Sequence, residues 1–115
     1  MLTPLHRVEL TAAWHLKIFR KELDHATVEQ ALNDLESDVA AGVWVSPEYD
    51  LVDVHFRAET LAQKHAATLG TRTLDILHVA AAMALGSWHF VTGDNRQAAL
   101  AKAAGLELTR YRPQA

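Results

Sequence analysis

The segment at residues 71–95, TRTLDILHVAAAMALGSWHFVTGDN, decides the fold that this sequence predicts. Residues 74–85 are apolar on nearly every face, a pattern that is typical of a buried helix. Thr73 is predicted to cap the start of this helix, and Gly86 is predicted to end it in the left-handed conformation. Residues 88–92 are rich in aromatic and β-branched side chains and predict a short strand.

Two carboxylates lie at the ends of these predicted elements. Asp75 falls in the first turn of the helix, and Asp94 follows the strand. Ligands and catalytic groups of open α/β sheets collect at the carboxyl ends of strands, so Asp94 is a candidate site residue. A structural role is the alternative for both, because aspartate commonly caps a helix or complements its N-terminus.

Composition and charge narrow the class of protein. Half of the 115 residues are hydrophobic, which indicates one folded domain over residues 1–115 rather than a disordered chain. Without cysteine, any metal has to be held by oxygen or imidazole ligands. The net charge of −3 argues against a protein that coats nucleic acid, but not against an enzyme that contacts a few phosphates.

The sequence predicts neither a membrane span nor a signal peptide. Its longest apolar run is shorter than the ~20 residues that cross a bilayer, and Glu9 interrupts the N-terminal segment where a signal peptide would be apolar. We therefore expect no membrane association and a cytoplasmic location.

The rest of the chain is predicted to alternate helices with short strands, which indicates an α/β fold with a parallel sheet. Beyond the central segment, helices are predicted over residues 4–23, from Asp24 or Thr27 to Gly42, over 51–69 and over 96–104, and strands over 43–45 and 106–109. One face of the first helix carries Val8, Ala12, Leu16, Phe19 and Leu23.

Three scattered acids remain after other chemistries are set aside. The seven histidines form no metal-binding helix motif, and the chain has neither a phosphate-binding glycine loop nor a serine-hydrolase elbow. Mg²⁺ and Mn²⁺ prefer carboxylate and water oxygens, and such an ion can activate water for phosphodiester hydrolysis. Glu9, Asp75 and Asp94 are the candidate ligands, although Glu9 could also be a plain solvent-facing acid.

The segment RTLDILHVAAAMALGSWHFVTGDNRQAALAKAAGLEL resembles the C-terminal half of a PIN domain, in particular the VapC-like toxins of bacterial type II toxin–antitoxin pairs. That family shows an Arg-Thr/Ser-Leu-Asp-x-Leu-His helix, a strand ending in Thr-x-Asp, an alanine-rich helix and a final strand. Upstream, LTPLHRVELTAAWHLKIFRKEL resembles the family's helix that bears an essential glutamate. The resemblance spans Leu2 to about Leu108 and is most specific over residues 71–105.

The resemblance implies an α/β, PIN-like three-layer fold, with a short parallel sheet flanked by helices, and an endoribonuclease that depends on Mg²⁺ or Mn²⁺. His78 matches a family residue of structural use. In the implied site, Glu9, Asp75 and Asp94 are the catalytic, metal-binding carboxylates, Thr92 is a supporting hydroxyl, and Arg72 and Arg96 contact RNA phosphate.

One departure from the family concerns its first strand, which is central in the sheet and ends in a catalytic aspartate. Only Met1 and Leu2 precede Thr3 and Pro4, so we expect a truncated chain with weak or absent activity. The implied partners are an RNA substrate, a cognate antitoxin protein and a second copy of the chain in a homodimer. The competing hypothesis is a non-catalytic, PIN-derived interaction module, which predicts no Mn²⁺ binding.

Overall fold

The computed structural model describes residues 1–48 and 50–111. The chain forms two compact units, Met1–Glu48 and Tyr49–Ala115, which we call unit 1 and unit 2. The described part is mostly helical and includes a two-stranded parallel sheet, so the predicted α/β class is confirmed at that level. The PIN-like layering, the missing first strand and the single domain stay predictions. No helix in the described ranges is long and apolar enough to cross a membrane.

Unit 1 contains two helices, α1 (Pro4–Phe19) and α2 (His25–Ala40). α1 begins where the Thr3 hydroxyl accepts a hydrogen bond from the backbone N–H of His6 at 3.3 Å. The predicted extension of α1 to residue 23 is wrong, because Lys21 adopts a left-handed conformation with φ of 59°. Asp24, one of the two predicted caps, starts α2 by accepting from the Thr27 N–H at 2.8 Å.

The apolar face of α1 is uncovered. None of the residues of α1 is buried, and Val8 and Phe19 are 66% and 82% exposed. The side chains of Arg7 on α1 and Glu36 on α2 form an ion pair. Val28 of α2 is buried, so the apolar contacts of unit 1 centre on α2 rather than on the predicted stripe of α1.

The strand predicted over residues 43–45 is wrong. These residues form a bend and an extended loop, joined to the start of the chain by a hydrogen bond of 2.7 Å from the Leu2 N–H to the Val45 carbonyl. Residues 43–45 have strand propensity but no strand to pair with, since β pairing in the described residues is confined to unit 2.

Unit 2 carries the remaining elements. In chain order they are α3 (Leu51–Leu61), a π-helical turn (Ala62–Ala66), α4 (Ala67–Leu69), α5 (Thr73–Ala84), β1 (His89–Thr92), α6 (Asn95–Ala103) and β2 (Glu107–Arg110). Gly86, with φ of 69°, follows the end of α5 in the predicted left-handed conformation. The predicted N-cap of α5 is wrong: Arg72, not Thr73, occupies that position.

The core of unit 2 forms around α5. Val79 and Ala80 of α5 and Leu100 and Ala101 of α6 are completely buried, and α5 also packs against α3. Alanine side chains let the helix backbones approach closely. The strands β1 and β2 are parallel, with His89 opposite Glu107 and Thr92 opposite Arg110, and α6 connects them. This crossover brings the carboxyl ends of both strands to one edge of the sheet.

Candidate functional site

Asp94 occupies the N-cap of α6, directly after β1. Its Oδ1 accepts hydrogen bonds from the backbone N–H groups of Arg96 at 2.8 Å and Gln97 at 3.0 Å. The hydrogen bond from Gln97 lowers the pKa of Asp94 most; desolvation opposes it, and the hydrogen bond from Arg96 and the charges of Arg96 and Arg72 lower the pKa further. The carboxylate is therefore ionised at neutral pH, and the structural role considered for Asp94 is realised.

Thr92 holds the turn between β1 and α6. This buried hydroxyl accepts from the Asp94 N–H at 3.0 Å and donates to Oε1 of Gln97 at 2.8 Å. It thereby fixes the backbone at Asp94. Sequence reasoning missed Gln97, although Asp94 and Gln97 are three residues apart and so match the spacing of a capping box.

Asp75 lies in the first turn of α5 and is partly exposed. Its Oδ2 accepts from the backbone N–H of Arg72 at 3.3 Å. Because the arginine side chain has no acceptor, Arg72 cannot cap the helix as serine or aspartate does, and Asp75 instead satisfies the N–H of the N-cap residue. The helix-terminus role that the sequence offered for Asp75 is thus realised as well.

Arg72 acts on both candidate acids of unit 2, Asp75 and Asp94. Its backbone donates to Asp75, and its charge helps to lower the pKa of Asp94. Arg96 is exposed beside the same cap, and Arg110 at the end of β2 donates to Oδ1 of Asn95. The start of α6 and the ends of both strands therefore bring Asp94, Arg96 and Arg110 to one edge of the sheet, where arginines suit contact with a phosphate backbone.

Glu9 belongs to unit 1, whereas Asp75 and Asp94 belong to unit 2. It lies in α1, is partly exposed and takes part in an interaction with another group. Over residues 1–48 and 50–111, no group of three or more histidine, aspartate or glutamate side chains is arranged to hold a metal ion.

His78 is buried one turn after Asp75 in α5 and interacts with another group. This is the environment of a core histidine, the structural role predicted for His78.

Next to Arg72, the hydroxyl of Thr71 is buried without a hydrogen-bond partner among the described residues. The sequence carried no signal for this feature, because it depends on how the loop before α5 packs.

Comparisons of the chain with protein-family models, with curated proteins and with solved structures gave no match.

Proposed function

We propose that the chain is a PIN-type, VapC-like endoribonuclease that depends on Mg²⁺ or Mn²⁺. One observation carries the proposal: the backbone N–H of Arg72 donates to Asp75, and the charge of Arg72 lowers the pKa of Asp94, which follows β1 at the edge where the parallel strands end. Catalytic groups of α/β proteins concentrate at such edges.

In this proposal the arginines hold the RNA and the acids act on it. Arg72 and Arg96 are exposed, and a guanidinium group can form two parallel hydrogen bonds with a phosphate. Asp94, whose pKa is lowered, is ionised at neutral pH as an ordinary aspartate also is, and Thr92 fixes the turn that carries it. Glu9 is included by family resemblance.

The proposed partners follow from the same resemblance. A cognate antitoxin would cover the acidic site, and a second copy of the chain would complete a homodimer. The cytoplasm is the proposed location.

A ribonuclease assay tests this function. Purified protein is incubated with a fluorogenic single-stranded RNA and Mn²⁺, with and without EDTA. We expect slow, EDTA-sensitive cleavage that is lost in Asp75→Asn and Asp94→Asn. Asp34→Asn is the matched control, because Asp34 is an exposed acid of unit 1 whose hydrogen bond joins it to Gln30. Cleavage that persists in EDTA or in both site variants would refute the assignment.

A non-catalytic interaction module is the second candidate. It is favoured because Asp75 and Asp94 already serve helix termini and because the described residues contain no group of three or more potential metal ligands. Calorimetric titration with Mn²⁺ separates the two candidates. The nuclease requires heat of binding that disappears in Asp94→Asn, whereas the interaction module requires none.

A further inference from the structure

A shallow groove of about 340 Å³ lies on unit 2, along α3 and the π-helical turn. Its opposite side is formed by the C-terminal ends of α5 and α6. It continues into a second hollow of about 140 Å³ that shares Arg57, Met83 and Ala104 with it. Because Asp75 and Asp94 lie at the N-terminal ends of the same two helices, the groove is at the far end of unit 2 from the acids, roughly 15 Å away.

Exposed aromatic rings border both hollows. Phe56 lines the larger one and Trp88 the smaller one, and they are 64% and 77% exposed. Buried Leu61 and Leu106 lie beneath. Large aromatic side chains that remain in water beside an apolar floor are typical anchors of protein interfaces.

Cationic side chains follow the same ridge. Arg57 and Lys64 line the larger hollow, and the segment from Phe56 to Lys64 rises by about 12 Å along the helix axis. Arg57 is paired with Asp53 at 3.0 Å, one helical turn away, but both side chains are more than 40% exposed. Lys64 has no ion pair within the described ranges.

Charges at the C-terminal end of α6 also lie near the groove. The C-terminal end of α6 contributes partial negative charge, and Lys102 in its last turn offsets it. The π-helical turn places Lys64 and His65 on the groove side of the chain, and such turns recur at functional sites.

We propose that this groove binds an acidic, amphipathic helix of a partner protein. Two apolar side chains of the partner pack against Phe56 and Trp88, and its carboxylates pair with Lys64 and with Arg57. The ridge of about 12 Å matches roughly two turns of a partner helix, the scale of helix-in-groove recognition. This binding does not depend on the proposed nuclease, since the acids are at the other end of unit 2.

Fluorescence anisotropy with two synthetic peptides tests the proposal on the full chain. One labelled peptide of about 14 residues, roughly four helical turns, carries leucine at helical spacing with glutamate elsewhere. The other replaces every glutamate with lysine. We expect saturable binding of the acidic peptide and binding at least about tenfold weaker for the basic one, because like charges repel across the groove.

Matched variants locate the binding. Phe56→Ala should weaken binding of the acidic peptide about tenfold, as expected for an aromatic anchor, and Lys64→Glu about fivefold. Phe19→Ala and Lys17→Glu, at exposed residues of unit 1, should leave it unchanged. Equal affinity for both peptides, or equal losses in the groove and control variants, would overturn the proposal. Circular dichroism verifies folding, and Trp88→Ala gives an independent variant should Phe56→Ala unfold.

Discussion

Helices α1 and α5 each have an apolar face, but only α5 is buried in a core. Val79 and Ala80 of α5 are completely enclosed, whereas none of the residues of α1 is buried. Alanines on α5 and α6 allow those helices to pack closely, while an exposed ion pair of Arg7 joins α1 to α2. The difference shows that apolar periodicity specifies a face, and that a matching partner surface decides whether the face contributes to stability.

Two leucines provide the strongest test of this comparison. Leu100→Ala should lower the free energy of unfolding of unit 2 by about 3 kcal/mol, because it removes a completely buried side chain and leaves a cavity. Leu16→Ala should cost unit 1 less than about 1 kcal/mol, since Leu16 is 43% exposed. Urea denaturation followed by circular dichroism measures both.

Equal losses of unfolding free energy in the two leucine variants would contradict the difference between α1 and α5. A large loss for Leu16→Ala would mean that the apolar face of α1 is covered in solution. Unchanged slopes of the urea transitions are the control, because they show that the substitution leaves the extent of unfolding unaltered.

The loss of a helix cap should lower the free energy of unfolding less than the loss of a core side chain does. Asp94→Ala removes two hydrogen bonds to the start of α6 and should cost about 1 kcal/mol. Asp94→Asn should cost less, because asparagine is also a good N-cap. Thermal unfolding measures the order of the three proteins, and a loss for the asparagine variant as large as for alanine would mean that the charge, not the cap, stabilises the helix.

The stability of α2 and α6 should also depend on pH, because an aspartate caps the start of each helix. The pKa of Asp94 is lowered below its ordinary value of 3.8, so its contribution to stability is complete above that value and is lost as the pH falls through the folded-state pKa. The pKa of Asp24 is lowered chiefly by its hydrogen bonds with Thr27, so the start of α2 in unit 1 should respond in the same direction. Both helices should therefore weaken in acid below about pH 4.

Asparagine variants test that expectation. Asp94→Asn and Asp24→Asn keep a capping oxygen but cannot titrate, so each should flatten the dependence of the unfolding free energy on pH in its own unit. Urea midpoints measured from pH 5 down to about pH 2 decide the question. Unaltered pH dependence in both variants would show that other carboxylates control acid unfolding.

Local signals were the part of the fold that the sequence predicted well. Gly86 ends α5, Asp24 starts α2, and β1 lies within the predicted strand, because each depends on neighbouring residues. The strand predicted over residues 43–45 failed because a strand needs a partner that is distant in the sequence. Exposure of the apolar face of α1 has the same cause, since periodicity does not identify what packs against it.

The candidate site also contains features that local sequence predicted and features that depend on tertiary packing. The positions of Asp75 and Asp94 at helix starts followed from local sequence, and so did their structural alternatives. Local sequence did not predict the charge effect of Arg72 on Asp94 or the hydrogen bond between Arg110 and Asn95. Both depend on how α5, α6 and β2 pack. Glu9 joins the site only through the family resemblance.

Two threonines of unit 2 give the smallest expected effects. The hydroxyl of Thr71 is buried without a partner in the described part of the chain, so Thr71→Val removes an unsatisfied polar group and should raise the unfolding free energy by about 0.5 kcal/mol. Thr92→Val is the matched control, because the Thr92 hydroxyl makes two hydrogen bonds and its loss should cost about 1 kcal/mol. Urea denaturation compares the signs. If both substitutions destabilise, the Thr71 hydroxyl has a partner in solution, such as a bound water molecule, and contributes to the loop that leads into α5.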